Sequence, residues 1–154
     1  MSPSVKMLGR TFCVVSCGEI IAQAPAFDAN RAVKMITFGT FVNAVLVHHW
    51  YKLLWRAFPT PSVRHTVMKV AADQIFLAPI GIAGAIAYTS WVTGRDVGVG
   101  LQSKFLNMWL ADWCVWPAAS YINFRFVPRH RQPLVYAVVS VGWFSYVSRY
   151  AHYD

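Results

Sequence analysis

The chain has 154 residues, of which 56% are apolar and 16% aromatic, while only 13% are charged. Soluble domains carry about 25% charged residues, so this composition excludes an ordinary water-soluble fold and predicts an integral membrane protein. The length fits a single domain, residues 1–154, and the net charge of +8 predicts partners of negative charge.

The basic residues occur as short clusters between apolar segments. One cluster combines Lys52 with Arg56, and another combines Arg125 with Arg129 and Arg131. Such clusters are typical of loops between membrane helices, where they meet anionic lipid, and not of a nucleic-acid groove. We therefore expect no nucleic-acid partner, and these five residues are candidate ligands of lipid headgroups.

Apolar segments separated by proline and polar residues predict an all-α fold, an integral membrane bundle of four to five helices. The first helix is expected at residues 5–24, where Pro25 stops it, and the second begins near Ala32. Because Glu19 interrupts the first apolar run, that run is not a typical signal peptide, and targeting is expected to be internal.

The third helix is the clearest membrane-spanning segment. It carries Lys69 and Asp73 as an i, i+4 ion pair and then continues through residues 74–94 without a charged side chain. A segment of about 21 residues makes about 31 Å of helix, which matches the hydrocarbon core of a bilayer. A glycine-rich turn is expected to follow at residues 94–100.

The fourth helix is expected at residues 101–124, with a bend near Pro117. The polar and aromatic stretch at residues 112–128 either crosses the membrane or enters it and returns, and the sequence leaves both possibilities open. The last helix is expected at residues 134–150.

Five polar residues within these segments are candidates for a buried polar site or the lining of a pore. They are Glu19, Asp73, Asp112, Ser120 and Asn123. An unpaired charge inside a membrane costs several kcal/mol, so each carboxylate is expected to have a partner. Pairing with Lys or Arg, or capping of neighbouring helices, is the alternative to a pore. For Asp112 we expect a position facing protein and a cationic partner.

No catalytic motif, phosphate-binding loop or dinucleotide fingerprint occurs in the sequence, so we expect neither enzymatic activity nor a cofactor. His48 and His49 point about 100° apart on a helix and lack a third ligand. The three cysteines show no C-x-x-C spacing and are expected to be buried thiols. No metal site is therefore expected.

Several motifs occur together along nearly the whole chain. They are Gly18-Glu19 with Gln23, His48-His49-Trp50-Tyr51, Asp73-Gln74 with Ala78-Pro79, and Trp113, Trp116-Pro117, Asn123-Phe124 and Val127-Pro128 at the spacing W-x-x-W-P-x-x-x-x-x-N-F-x-x-V-P. In this combination the chain resembles the family of the Mpv-seventeen protein and the twenty-two-kilodalton peroxisomal membrane protein. The resemblance implies a small integral protein of the mitochondrial inner membrane or, as the alternative, of the peroxisomal membrane.

The chain departs from the family pattern at Asp112, where the family usually has Asn, and at Ser120, where it usually has Gln. The resemblance implies a metabolite or ion channel or a role in membrane integrity, and it brings no catalytic motif. Because basic clusters lie at helix ends, we expect an accessory subunit of a large mitochondrial inner-membrane complex of respiratory or ATP synthase type. Its partners would be other membrane subunits and anionic lipid such as cardiolipin. The alternative is a channel that maintains homeostasis of the inner or peroxisomal membrane.

Overall fold

The computed structural model describes the backbone of residues 3–23 and 27–153, so Pro25, predicted to end the first helix, lies outside the described residues. All regular elements in these ranges are helices, which confirms the predicted all-α fold for this part of the chain. They are α1 (Pro3–Gln23), α2 (Ala29–Val42), α3 (His48–Ala57), α4 (Val63–Ala72), α5 (Ala78–Val92), α6 (Val97–Phe126) and α7 (Gln132–Tyr153).

Wider π-helical turns join two pairs of these helices into continuous segments. Asn43–Val47 joins α2 to α3, and Asp73–Leu77 joins α4 to α5. In the second turn the Ala78 N–H donates to the backbone oxygen of Asp73, five residues back. Pro79 explains this turn, because proline has no N–H and its ring clashes with the carbonyl four residues before it in a regular helix.

Local capping fixes the connection between α5 and α6. The Arg95 N–H donates to the backbone oxygen of Ser90, five residues back, as in a Schellman motif, and Gly94 adopts the positive φ of 69° that this motif requires. The Asp96 carboxylate then accepts from the Val99 N–H at 2.8 Å and starts α6. Because of this cap, α6 begins inside the glycine-rich segment that the sequence predicts as a turn.

α6 is one helix of 30 residues, about 45 Å long at 1.5 Å per residue. Pro117 lies inside it, and the helix continues beyond this proline to Phe126. The chain therefore does not reverse between residues 112 and 126, and a crossing of the membrane by this segment stays a prediction.

The chain divides into two compact units, which are described separately. Unit 1 comprises Met1–Tyr51 with Ala137–Asp154, and unit 2 comprises Lys52–Tyr136. In unit 1, α1 packs against α2, and the Ser145 hydroxyl of α7 donates to the backbone oxygen of Gly18 in α1 at 3.0 Å. In unit 2, α6 packs against both α4 and α5. The predicted single domain stays a prediction.

The described helices bury polar side chains and expose apolar ones. Thr66 and Lys69 are 0% exposed, whereas Ile80 is 60% and Trp91 is 72% exposed. In a water-soluble protein, large apolar side chains would be buried and a lysine would face solvent. This distribution is the one expected of helices whose outer surface meets an apolar environment.

Among the described helices, the segment Val63–Val92 has the length and apolar composition of a membrane span. It contains the predicted third helix and begins at a capped end, where the Ser62 hydroxyl accepts from the His65 N–H at 3.3 Å. The further crossings of the predicted bundle stay predictions.

The prediction of buried thiols is wrong. Cys13 and Cys17 in α1 and Cys114 in α6 are all exposed. A free thiol behaves as a small hydrophobic group, so it fits an apolar outer surface as well as an interior.

Gly39 of α2 is expected to be sensitive to substitution, because a Cβ there would lie 2.7 Å from Cγ1 of Val15 in α1. Valine is stiff at χ1, so the two helices would have to move apart. We expect Gly39→Ala to destabilise the protein by about 1–3 kcal/mol, measured by thermal unfolding in detergent. Gly81→Ala is the control, since a Cβ there meets nothing within 4 Å. Equal unfolding midpoints for the two variants would contradict the close approach of α1 and α2.

Candidate functional site

One face of α6 carries the polar residues that the sequence singles out. Asp112, Ser120 and Asn123 are all buried, and so are Met108 one turn before them and Trp116 between them. These residues follow one another at intervals of three or four, so they lie on a single side of the helix. The side chains on the opposite side of α6 are largely apolar and exposed.

α4 and the π-helical turn after it contribute a second row of buried polar side chains. Thr66 and Lys69 lie one turn apart on α4, and Asp73 and Gln74 begin the π turn. α4 packs against α6, so both rows belong to the interior of unit 2. We call this set the polar interior. Its members are Thr66, Lys69, Asp73, Gln74, Asp112, Ser120 and Asn123.

Asp112 is buried, but an amide takes the place of the predicted cationic partner. The Gln74 side chain hydrogen bonds to the Asp112 carboxylate, and Trp109 Nε1 donates to the Gln74 backbone oxygen at 3.4 Å. Asp112 Oδ2 has no hydrogen-bond partner among the described residues. A carboxylate oxygen buried in this way is costly, so Asp112 requires a further donor such as water or a ligand.

Five side-chain atoms of the polar interior are buried without a hydrogen-bond partner within the described part of the chain. They are Thr66 Oγ1, Lys69 Nζ, Gln74 Oε1, Asp112 Oδ2 and Asn123 Oδ1. Folded proteins leave few such atoms, and waters or bound ligands usually satisfy them. The set contains both donors and acceptors, so this interior is suited to water or a small polar solute.

Trp55 of α3 holds two cations at one end of the polar interior. Lys69 Nζ lies 3.0 Å and Arg129 Cζ 3.8 Å from the centroid of its ring. Two cationic groups this close to one centroid would collide on a single face, so the indole lies between them. The ring also makes an edge contact with Phe124, with centroids 6.4 Å apart. Cation–π contacts are worth about 0.5–2 kcal/mol each, more where water is excluded.

Gln132, the first residue of α7, fixes the orientation of this indole. Its Oε1 accepts from Trp55 Nε1 at 3.0 Å, and its Nε2 donates to the backbone oxygen of Val127 at 3.0 Å. Asn123 Nδ2 donates to the Gln132 backbone oxygen at 3.1 Å. The sequence analysis missed both Trp55 and Gln132, because neither residue stands in a motif and their contact joins positions 77 residues apart.

The sequence predicts an i, i+4 ion pair of Lys69 with Asp73, but no hydrogen bond joins the two side chains. Lys69 Nζ lies on the Trp55 ring and has no hydrogen-bond partner among the described residues. The contact with the indole joins the side chain of Lys69 to α3.

Glu19 has a separate role in unit 1. Its Oε1 accepts from Gln23 Nε2 at 2.7 Å, and Gln23 Oε1 accepts from the Asp28 N–H at 2.5 Å. These bonds connect the end of α1 to the start of α2. Of the five predicted polar candidates, the structure therefore groups four in unit 2 and gives Glu19 a helix-end position.

The basic residues predicted as lipid ligands have two different environments. Arg125 Nη1 donates to the backbone oxygen of Pro61 at 2.8 Å, and Arg129 donates to that of Pro59. These bonds tie the end of α6 and the connection after it to the connection between α3 and α4. Since a guanidinium has five N–H donors, both arginines keep donors for other partners. The remaining candidates, Lys52, Arg56 and Arg131, are exposed.

These features define a small all-helical protein with an apolar outer surface and a polar interior. The profile of the Mpv17 / PMP22 family matches residues 92–148. Protein sym-1 of Neurospora crassa is 31% identical over 123 residues, which cover 79% of this chain and 72% of that protein. The chain therefore belongs to the Mpv17 / PMP22 family, as the resemblance indicates.

Two further relatives extend the comparison. Mitochondrial inner membrane protein Mpv17 of Danio rerio is 27% identical over 145 residues, which cover 88% of this chain and 82% of that protein. PXMP2/4 family protein 4 of Dictyostelium discoideum is 26% identical over 126 residues, which cover 80% and 68%. The name of the Danio rerio relative supports the predicted location in the mitochondrial inner membrane. No solved structure matches the chain.

Trp55→Phe is expected to destabilise unit 2 by about 1–3 kcal/mol, because it leaves the buried Gln132 Oε1 without its donor. The smaller ring also weakens the contacts with Lys69 and Arg129. The measurement is thermal unfolding of the purified protein in detergent. Trp91→Phe is the matched control, since that indole is exposed on α5. If both variants unfold at the same temperature, Trp55 does not stabilise the fold in this way.

Proposed function

We propose that this protein is a channel of the mitochondrial inner membrane, in which the polar interior of unit 2 conducts a small polar solute or ion. The observation that carries the proposal is the group of five buried polar atoms that lack a hydrogen-bond partner among the described residues. A hydrated path would satisfy them. In a purely structural bundle, well-packed apolar residues would be equally or more stabilising at these positions.

The proposal requires that the helices around the polar interior cross the membrane, as the predicted bundle of four or five helices does. Val63–Val92 and α6 have 30 residues each, which is enough for a hydrocarbon core of about 30 Å. Ile75, Ile80 and Leu110 are exposed on these helices and would contact lipid. The polar side chains of the same helices are then shielded from lipid by the packing of α4 and α5 against α6.

The π-helical turn supports a functional interior. Asp73 and Gln74 are consecutive residues, yet both side chains are buried. In a regular α-helix consecutive side chains point about 100° apart, and the wider turn changes this spacing. Single π turns inside α-helices occur frequently at functional sites.

A second candidate is the role expected from the basic clusters, an accessory subunit of a respiratory or ATP synthase type complex. Large aromatic rings on the outer surface favour it. Trp91, Trp113 and Phe126 are all exposed, and aromatic residues are enriched where membrane helices or protein surfaces meet a partner. In that role the protein would contact other membrane subunits, and no enzymatic activity is proposed for either role.

Anionic lipid such as cardiolipin is a proposed partner in both roles. Arg125 and Arg129 keep N–H donors after they bind the two proline carbonyls, and Arg131 is exposed beside them. Each basic residue near an anionic membrane surface contributes about 1 kcal/mol to lipid binding.

Reconstituted alone in liposomes, the protein is expected to conduct. Asp112→Asn removes a charge from the polar interior at constant volume, so it should lower the preference for cations over anions, measured as a shift in reversal potential under a salt gradient. Ser120→Ala removes a buried hydroxyl and should lower the conductance. Ser103→Ala is the matched control, because that hydroxyl is exposed and donates to the backbone of its own helix.

The same preparation distinguishes the two roles. A channel conducts without other subunits, whereas an accessory subunit is silent alone and copurifies with a stoichiometric assembly after mild solubilisation. Silence in liposomes together with recovery of such an assembly would contradict the channel. Conductance that does not respond to Asp112→Asn or Ser120→Ala would place the path outside the polar interior.

A further inference from the structure

Thr66 and Lys69 form a feature that a hydrated path alone does not explain. Both side chains are fully buried, and Thr66 Oγ1 and Lys69 Nζ have no hydrogen-bond partner among the described residues. They lie three residues apart on one face of α4. Lysine is almost never fully buried unless it is paired, and its ammonium has three N–H donors to satisfy.

The groups near Lys69 Nζ add positive charge and supply no acceptor. Arg129 lies on the other face of the same indole, and the Phe124 ring centroid is 5.6 Å from Nζ. Thr66 is the fourth residue of α4, so the positive end of the helix dipole is close to it. Asp73, one turn beyond Lys69, makes no hydrogen bond with Nζ.

We propose that Thr66 and Lys69 form a binding site for an oxyanion group, either a phosphate or a carboxylate. Lys69 Nζ donates charge-assisted hydrogen bonds to the oxyanion, and the Thr66 hydroxyl donates a further one. An oxyanion fits because it only accepts hydrogen bonds and because it neutralises two cations that otherwise repel each other across the indole. Water would satisfy the hydrogen bonds but not the charge.

Trp55 and Arg129 act as positioning residues in this site. The indole holds the ammonium of Lys69 at 3.0 Å from its centroid, and Gln132 holds the indole through Nε1. Arg129 is anchored by its bond to Pro59 and adds positive potential from the far side of the ring. The site would add a step of anion binding at one end of the polar interior. Its role in transport rests on the proposed function.

Two sources of the oxyanion share this chemistry. Lys69 is six residues from the first residue of α4, which is about 9 Å along the helix axis. One source is the phosphate of a lipid headgroup at the membrane surface. The other is a soluble phosphate or carboxylate that enters the polar interior. The test therefore uses inorganic phosphate and phosphatidic acid as separate probes.

The first arm measures binding of inorganic phosphate to the full chain in neutral detergent. The readout is the thermal unfolding midpoint at increasing phosphate, against chloride at equal ionic strength. Lys69→Met removes the charge at similar length and should weaken phosphate binding by about tenfold or more. Thr66→Val keeps the shape without the hydroxyl and should weaken it by a smaller factor. Lys104→Met, at a lysine of α6 that belongs neither to the polar interior nor to the candidate lipid ligands, is the matched control and should bind phosphate like the unmodified chain.

The second arm uses nanodiscs of phosphatidylcholine with or without phosphatidic acid. If the site takes a lipid headgroup, phosphatidic acid raises the midpoint of the unmodified chain, abolishes its response to phosphate, and has no such effect on Lys69→Met. If it takes a soluble anion, the response to phosphate persists in both discs. Either result supports the site. If Lys69→Met does not fold, Thr66→Val alone carries both comparisons.

Two results would overturn the site. One is an unmodified chain that responds to neither probe, and the other is an equal response in the unmodified chain, Lys69→Met and Thr66→Val. Neither arm requires conduction. A protein that conducts but binds no oxyanion contradicts only this site, and one that binds phosphate but is silent in liposomes contradicts only the channel.

Discussion

The burial of Lys69 against Trp55 is the constraint on which the rest of unit 2 depends. An ammonium group placed inside a helical bundle has to be held by partners, and here the partner is an indole ring with Nζ 3.0 Å from its centroid. The ring can do this only if its own N–H is satisfied, which Gln132 achieves. Gln132 in turn bonds Asn123 and Val127, so this one charge connects α3, α4, α6 and the start of α7.

Hydrogen bonds from two arginines hold the connection between α3 and α4. Arg125 and Arg129 donate to the carbonyls of Pro61 and Pro59, which have no neighbouring helix to satisfy them. Prolines also remove N–H groups from this connection, so fewer donors remain unpaired. The basic cluster is therefore a structural part of the turn as well as a surface for anionic partners.

The sequence predicted the helical class and the apolar outer surface, and it singled out four of the seven members of the polar interior, but not the burial of Thr66, Lys69 or Gln74. These follow from composition and from the spacing along α6, which is local information. It did not predict the partner of Asp112, because charge counting looks for a cation and the structure provides the amide of Gln74. Likewise, the roles of Trp55 and Gln132 depend on a contact between distant positions, and sequence patterns report only near neighbours.

The helix ends of unit 2 follow the usual capping rules, whereas the polar interior departs from the usual rules of packing. Ser62 caps α4, Gly94 ends α5 with the required positive φ, and Asp96 caps α6. Chains that obey such rules in most places usually depart from them where function demands it. Within unit 2 the departures, a π turn next to Pro79 and five buried polar atoms without partners in the described chain, occur together on α4, the π turn and α6, while unit 1 has a π turn at Asn43–Val47 and two such atoms, Ser16 Oγ and Thr40 Oγ1. Stability alone would favour apolar side chains at these positions, and this cost is what the proposed solute path and oxyanion site would explain.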